Sequence, residues 1–160
     1  MVGGVIGVGT DTVEVGRIRA LIERRGERFV RKWFTPGEIE YCQAKLDQPR
    51  HLAGRLAAKE AVFKAMRLRG TGLVPWRDVE VVREPGGAPS VRLGGDLSNA
   101  ADQLGVGQIL ISISHDASRA NAVAVILHGP SLFTQGCGGV LRVLPHANEF
   151  EGLRRAATDA

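Results

Sequence analysis

Aromatic residues are scarce in this 160-residue chain: five phenylalanines, two tryptophans and one tyrosine, 5% of the total. Few rings are therefore available to stack nucleobases, the platform on which single-stranded nucleic acid is commonly held, and no recognised nucleic-acid motif compensates. Cysteine is nearly absent. Cys42 and Cys137 lie far apart, with no CxxC or Cys/His spacing, which excludes a disulfide scaffold and a zinc module and predicts a reduced, cytoplasmic chain. No stretch approaches the ~20 apolar residues of a membrane span, and the N-terminus has neither the charged region nor the long apolar run of a signal peptide, so no membrane association is expected. No internal repeat is found.

What is present fits one domain with an ordinary apolar fraction. A short apolar run, Val5 to Val8, reads as a buried strand with Asp11 after it. The next segment reads as helical, with Val13, Val15, Ile18, Leu21, Ile22 and Phe29 as its apolar members. Thr35-Pro36 with Glu38 is a helix start, with Thr as N-cap, Pro in the first turn and Glu at the third position; this helix is expected to reach about Leu46, with Pro49 beyond it. A third and longest helix is predicted from about Arg50 to Arg69, with Leu52, Leu56, Phe63 and Met66 as its apolar stripe and Gly70-Thr71-Gly72 as its stop. Val79 to Val82 and Ser90 to Leu93 read as a hairpin across Glu84-Pro85-Gly86-Gly87. A short helix follows over Leu97 to Leu104, then strands at Ile109 to Ser114 and Ala122 to Leu127, joined by a polar turn from His115 to Arg119. Helices and hairpins are segregated rather than alternating, which predicts an α+β fold. Gly129 to Ala160 has the composition of a linker or appendage, with a possible edge strand at Val140 to Leu144 and a short helix at Glu151 to Ala157.

The basic residues are concentrated. The chain carries a formal charge of +4, and seven basic residues (Arg17, Arg19, Arg24, Arg25, Arg28, Arg31, Lys32) face two acidic ones (Glu23, Glu27) between positions 17 and 32. This is either a solvated helix face or a docking surface for an acidic partner. Nucleic acid, acidic protein and anionic membrane all satisfy the charge.

The chemistry-bearing positions lie in three blocks. Glu60 and Lys64, four apart in strong helix-forming sequence, share a helix face. They form either a plain surface ion pair or a carboxylate and a cation pointed into one site. Asp11 is either the N-cap of the helix after it or, from a separate element, a second carboxylate. Two carboxylates together suit Mg²⁺, which takes oxygen ligands, keeps waters and shares substrate phosphate oxygens. His115 and Asp116 stand in the late turn.

Gly9-Thr10-Asp11, the helical run from Lys59 to Ala65 and Ser112-Ile113-Ser114-His115, supported by Phe34-Thr35-Pro36-Gly37-Glu38 and Gly87-Ala88-Pro89, together resemble the holo-acyl-carrier-protein synthase type of 4′-phosphopantetheinyl transferase. Order and spacing agree over about residues 4–128, predicting a transferase domain at 1–128 and an appendage of unknown role at 129–160. The resemblance implies helices packed on a small, mainly antiparallel sheet, one unit per chain, and homotrimers with sites at subunit boundaries. It implies Mg²⁺-dependent transfer of the phosphopantetheine arm from coenzyme A to a serine of an apo acyl carrier protein, releasing adenosine 3′,5′-bisphosphate, for fatty-acid or polyketide synthesis. Asp11 and Glu60 are implied as metal ligands, and Asp11, Glu60 and Lys64 as the catalytic set. Glu60 would take the serine proton, directly or through a metal-bound water, and Lys64 would neutralise charge on the diphosphate. Arg55, Lys64, Gly72, Pro89 and His115 are implied for coenzyme A, and Arg17, Arg24 and Arg28 for docking the carrier. Asp116 departs from the Thr common after the histidine. Two further readings stand beside this one: a basic nucleic-acid-binding module, and a non-catalytic carrier-binding domain that kept the fold.

Overall fold

The computed structural model describes residues 3–67 and 75–129. Within them, β1 (Val5–Glu14) leads into α1 (Val15–Trp33), α2 (Pro36–Gln43) and α3 (Gln48–Ala65). A 3₁₀ turn at Trp76–Asp78 precedes the hairpin β2 (Val79–Arg83) and β3 (Pro89–Leu93), and α4 (Gly95–Gln103), β4 (Val106–His115) and β5 (Arg119–His128) complete the order. β1, β5 and β4 form an antiparallel sheet with β5 in the middle. The predicted α+β class is observed. Gly72, the rest of the Gly70-Thr71-Gly72 loop, Cys137 and the elements expected after 129 lie outside the described residues.

Several early expectations need correction. The Val5 to Val8 run is a strand but not a buried one, since Val5, Ile6 and Val8 are exposed. Asp11 does not follow the first strand but lies inside it, opposite Ala122 of β5. It therefore caps nothing: Glu14 is the N-cap of α1 and makes no side-chain capping bond. Val13 likewise belongs to the strand. The alternation Gly7, Gly9, Asp11, Val13 explains this, because one face of a strand repeats every second residue and three of these four are buried. In addition, α1 is broken at Gly26, whose φ of 55° and ψ of −144° leave the helical region. That positive φ favours glycine, and Arg24 and Arg25 precede the break while Arg28 follows it.

The capping box at α2 is present in both directions: Glu38 N donates to Thr35 Oγ1 at 3.3 Å and Thr35 N donates to Glu38 Oε2 at 2.9 Å. α2 ends at Gln43 rather than near Leu46. Pro49 does not terminate it but sits in the first turn of α3, behind the Asp47 N-cap, where a missing N–H costs nothing.

α3 is the axis of the molecule. It is buried almost all round, since the sheet covers one side and α1, α2 and the hairpin cover the rest. Small residues face the sheet. Gly54 lies against Ile113 of β4, while Gly9 and Gly7 of β1 lie against the backbone of Ala61 and Ala65. The helix thus crosses the sheet obliquely, its N-terminal half over β4 and its C-terminal half over β1.

The rotation of α3 is set by Lys59, which is fully buried. Its Nζ pairs with Glu38 Oε2 at 2.7 Å and donates to the carbonyls of Trp33 at 2.9 Å and Trp76 at 2.8 Å. Glu38 Oε1 also accepts from Val81 N at 3.0 Å. Burial pulls the Lys59 ammonium below its usual range, and the Glu38 charge opposes that. An ion pair this deep persists because every remaining donor and acceptor is matched. With Lys59 turned inward, Glu60 is directed to the β1 edge.

Candidate active site

Asp11, Glu60 and Lys64 meet where α3 passes over β1. Asp11 belongs to the β1 row facing the helix, and the glycines before it let α3 approach closely enough for contact. Lys64 Nζ makes a short ion-paired hydrogen bond with Asp11 Oδ1 and donates to the Thr10 carbonyl at 3.0 Å. Glu60 is half-buried and shares a hydrogen bond with Asp11. Burial first, then that hydrogen bond and the Asp11 charge, push its carboxyl up to about 7 against the pull of Lys64 and Arg17. Two carboxyl groups this close disfavour joint ionisation unless a cation joins them. The donor set, two carboxylates beside an open face, fits Mg²⁺ sharing its coordination with water and a phosphorylated substrate. Among the described residues no cluster of three or more His, Cys, Asp or Glu offers a closed metal cage.

Arg55, Pro89 and His115 gather elsewhere. They line a cleft of about 480 Å³ with Tyr41, His51, Gly54, Arg83 and Ser114. His115 is the last residue of β4, paired with Ala120, rather than a turn residue. The Arg55 guanidinium lies over the Tyr41 ring, 3.9 Å from its centroid, and its buried Nε has no hydrogen-bond partner. The His51 and His115 rings meet edge-on at 5.3 Å. Burial first, then the charges of His115, Arg50, Arg55 and Lys45, hold His51 below its ordinary range. The cleft is basic, and among the described residues no carboxylate lines it.

The two clusters share a face of the sheet but lie on opposite sides of α3. Asp11 is on one edge strand and His115 on the other, with β5 between, so two strand spacings, roughly 10 Å, separate their rows. The sequence did not reveal this separation.

Asp116 closes the β4–β5 turn. Its Oδ1 accepts from Ser118 N at 2.7 Å, Arg119 N at 2.8 Å and Ser118 Oγ at 2.9 Å. Sequence reasoning also missed Lys59. The signal was available: Leu52, Leu56, Lys59, Phe63 and Met66 keep helical spacing, which puts the lysine on the apolar stripe. Cys42 is wholly buried and its thiol is pushed up to about 11, so it is no nucleophile. Arg17, Arg24 and Arg28 are all exposed on α1. A larger groove of about 600 Å³ between α1 and α2 contains none of the chemistry-bearing residues. No helix among the described residues is long and apolar enough to cross a membrane.

The family model described as 4′-phosphopantetheinyl transferase superfamily matches residues 7–126. The chain is 42% identical over 122 residues to a holo-[acyl-carrier-protein] synthase of Koribacter versatilis, covering 76% of this chain and 98% of that one. Among solved structures, the holo-[acyl-carrier-protein] synthase of Neisseria meningitidis superposes with a TM-score of 0.71 at 29% identity, covering 77% of this chain and 98% of that one. The Helicobacter pylori synthase in complex with coenzyme A superposes with a TM-score of 0.62 at 30% identity, covering 74% and 98%.

Proposed function

This chain belongs to the 4′-phosphopantetheinyl transferase superfamily as a holo-acyl-carrier-protein synthase, and from that premise we propose that Asp11, Glu60 and Lys64 form its transfer centre while Arg55, Pro89 and His115 receive the nucleotide end of coenzyme A. The enzyme moves the phosphopantetheine arm from coenzyme A to a serine of apo acyl carrier protein. The serine oxygen forms a bond to the β-phosphorus, the bond between that phosphorus and the bridging oxygen breaks, and adenosine 3′,5′-bisphosphate leaves. The transferase unit is assigned to residues 1–128, with 129–160 an appendage, and the protein to the cytoplasm on its cysteine-poor composition.

The observation that carries this reading is the meeting of Asp11, Glu60 and Lys64 at one edge of the sheet. Asp11 and Glu60 would hold Mg²⁺, which when bound supplies charge neutralisation to the diphosphate. Lys64, whose side chain is more than half exposed, turns toward the leaving phosphate oxygen and stabilises charge where it develops. Glu60 accepts the serine proton. Arg17, Arg24 and Arg28 steer the acidic carrier to the same edge.

A homotrimer completes the site. Within one chain α3 stands between the transfer centre and the basic cleft, so the cleft facing a given Asp11 would be a neighbour's. The outer sheet face supports assembly: Val8 is 62% exposed, Val5 59% and Val123 42%, a contiguous apolar surface of the kind that oligomers bury. The test is incubation with apo carrier protein, coenzyme A and Mg²⁺. Wild type should add one phosphopantetheine mass to the carrier, and Asp11→Asn or Glu60→Gln should slow this by about a hundredfold or more. Near wild-type rates in either variant would refute the assignment.

A further inference from the structure

Arg83 is an exposed arginine held by two hydrogen bonds, neither of them to a carboxylate. Long charged side chains at a surface ordinarily sample many rotamers, and fixing one costs entropy. Here Nε donates to the Gly87 carbonyl at 2.8 Å and one terminal nitrogen donates to the Tyr41 hydroxyl at 2.7 Å. Gly87 reaches this position with a φ of 84°, so the hairpin turn is shaped to receive the guanidinium. Among the described residues neither Arg83 nor Arg55 is in an ion pair. Both line the same cleft.

Tyr41 connects them. Its ring lies under the Arg55 guanidinium and its hydroxyl accepts from Arg83. Burial alone would raise the phenol. The Arg83 hydrogen bond and the charges of Arg83, Lys45 and Arg55 outweigh it and leave the group below its ordinary range. A preorganised pair of cations lowers the ordering cost of binding an anion.

We propose that Tyr41 is the positioning residue of the cleft, holding Arg55 from α3 and Arg83 from β2 together so that Arg83 becomes a second guanidinium ligand for the 3′-phosphomonoester of coenzyme A. This rests on the reading that the cleft takes the nucleotide end. The phosphomonoester is the better fit than the diphosphate for a chemical reason. Among the described residues the cleft offers cations and no carboxylate for a metal, whereas the reacting diphosphate belongs with Asp11 and Glu60. Guanidinium groups suit a terminal phosphate, which presents several oxygens to paired N–H donors.

The experiment compares KM for coenzyme A and for 3′-dephospho-coenzyme A. Tyr41→Leu, which removes both ring and hydroxyl, should raise KM for coenzyme A about tenfold, and Tyr41→Phe, which keeps the cation–π platform, about threefold. Arg83→Gln, which removes the ligand itself, should raise KM at least as much as Tyr41→Phe, and the Tyr41→Phe/Arg83→Gln double variant should match Arg83→Gln alone, because the hydroxyl acts only through Arg83. With 3′-dephospho-coenzyme A the variants and wild type should converge. Equal losses on both substrates, a fall confined to kcat, or Tyr41→Leu behaving as wild type on coenzyme A would overturn the proposal. Arg55→Gln separates it from the reading beneath. If Arg55→Gln raises KM for coenzyme A while the Tyr41 and Arg83 variants do not, only the positioning role fails. If none of them does, the cleft is not the nucleotide site.

Discussion

Substituting Gly9 by alanine adds one methyl group and alters no catalytic side chain, yet it should disable the enzyme. A Cβ at Gly9 would overlap the Ala61 carbonyl oxygen and stand 2.7 Å from Ala65 N and 3.0 Å from Ala61 C. All three are helix backbone, which no rotamer change can move. Ordinary C···O contact begins near ~3.3 Å, so α3 must retreat from β1 by about 1 Å, carrying Glu60 and Lys64 away from Asp11. Overpacking of this kind costs about 1–3 kcal/mol of stability. Misplacing catalytic groups by that distance costs about a hundredfold in rate. Urea unfolding measures the first and the rate of carrier modification at saturating coenzyme A measures the second. Gly16→Ala is the control, since a Cβ there meets nothing within 4 Å. It should leave stability unchanged or raise it by up to about 1 kcal/mol. A Gly9→Ala enzyme with turnover within twofold of wild type would refute the argument that close helix–strand approach builds the site. So would a loss of turnover equalled by Gly16→Ala.

Other expectations follow from the same geometry. Mixing Glu60→Gln and His115→Ala subunits in equal amounts should restore about a quarter of the sites if each is shared between neighbouring chains; no recovery despite demonstrated subunit exchange would refute shared sites. Reversing Arg17, Arg24 and Arg28 to Glu should raise the carrier KM and flatten its dependence on ionic strength, because exposed charges steer encounter and are screened by salt; an equal loss of coenzyme A affinity would point to the nucleotide instead. Asp116 titrates below its ordinary 3.8 because the Arg119 and Ser118 amides and the Ser118 hydroxyl hydrogen-bond its carboxylate. A depressed folded value gives stability that is present above the unfolded value and lost as pH falls through the folded one. The stability difference between wild type and Asp116→Ala should therefore narrow in acid, and a gap independent of pH would refute the turn's reliance on the ionised carboxylate.

What the sequence made legible was local. The capping box from Thr35 to Glu38, the hairpin around Gly87 and the shared face of Glu60 and Lys64 each depend on residues within a few positions of one another, where backbone geometry alone fixes who meets whom. Asp11 was misread because an apolar run interrupted by glycine looks finished at Val8. The strand continues because Gly7 and Gly9 serve close packing against α3, and that reason lies in a helix fifty residues away. Lys59 was passed over beside Glu60 although it occupies the apolar stripe, since a lysine is rarely buried without a partner and its partner, Glu38, comes from α2. The division of the site was the least legible. Arg55 and Glu60 are five residues apart, about 500° of helix rotation and ~7.5 Å of rise, enough to put them on different faces and over different strands. In a linear motif they look like one constellation. Once α3 crosses the sheet obliquely they lie over different strands, and the proposal that neighbouring chains share each site rests on that division.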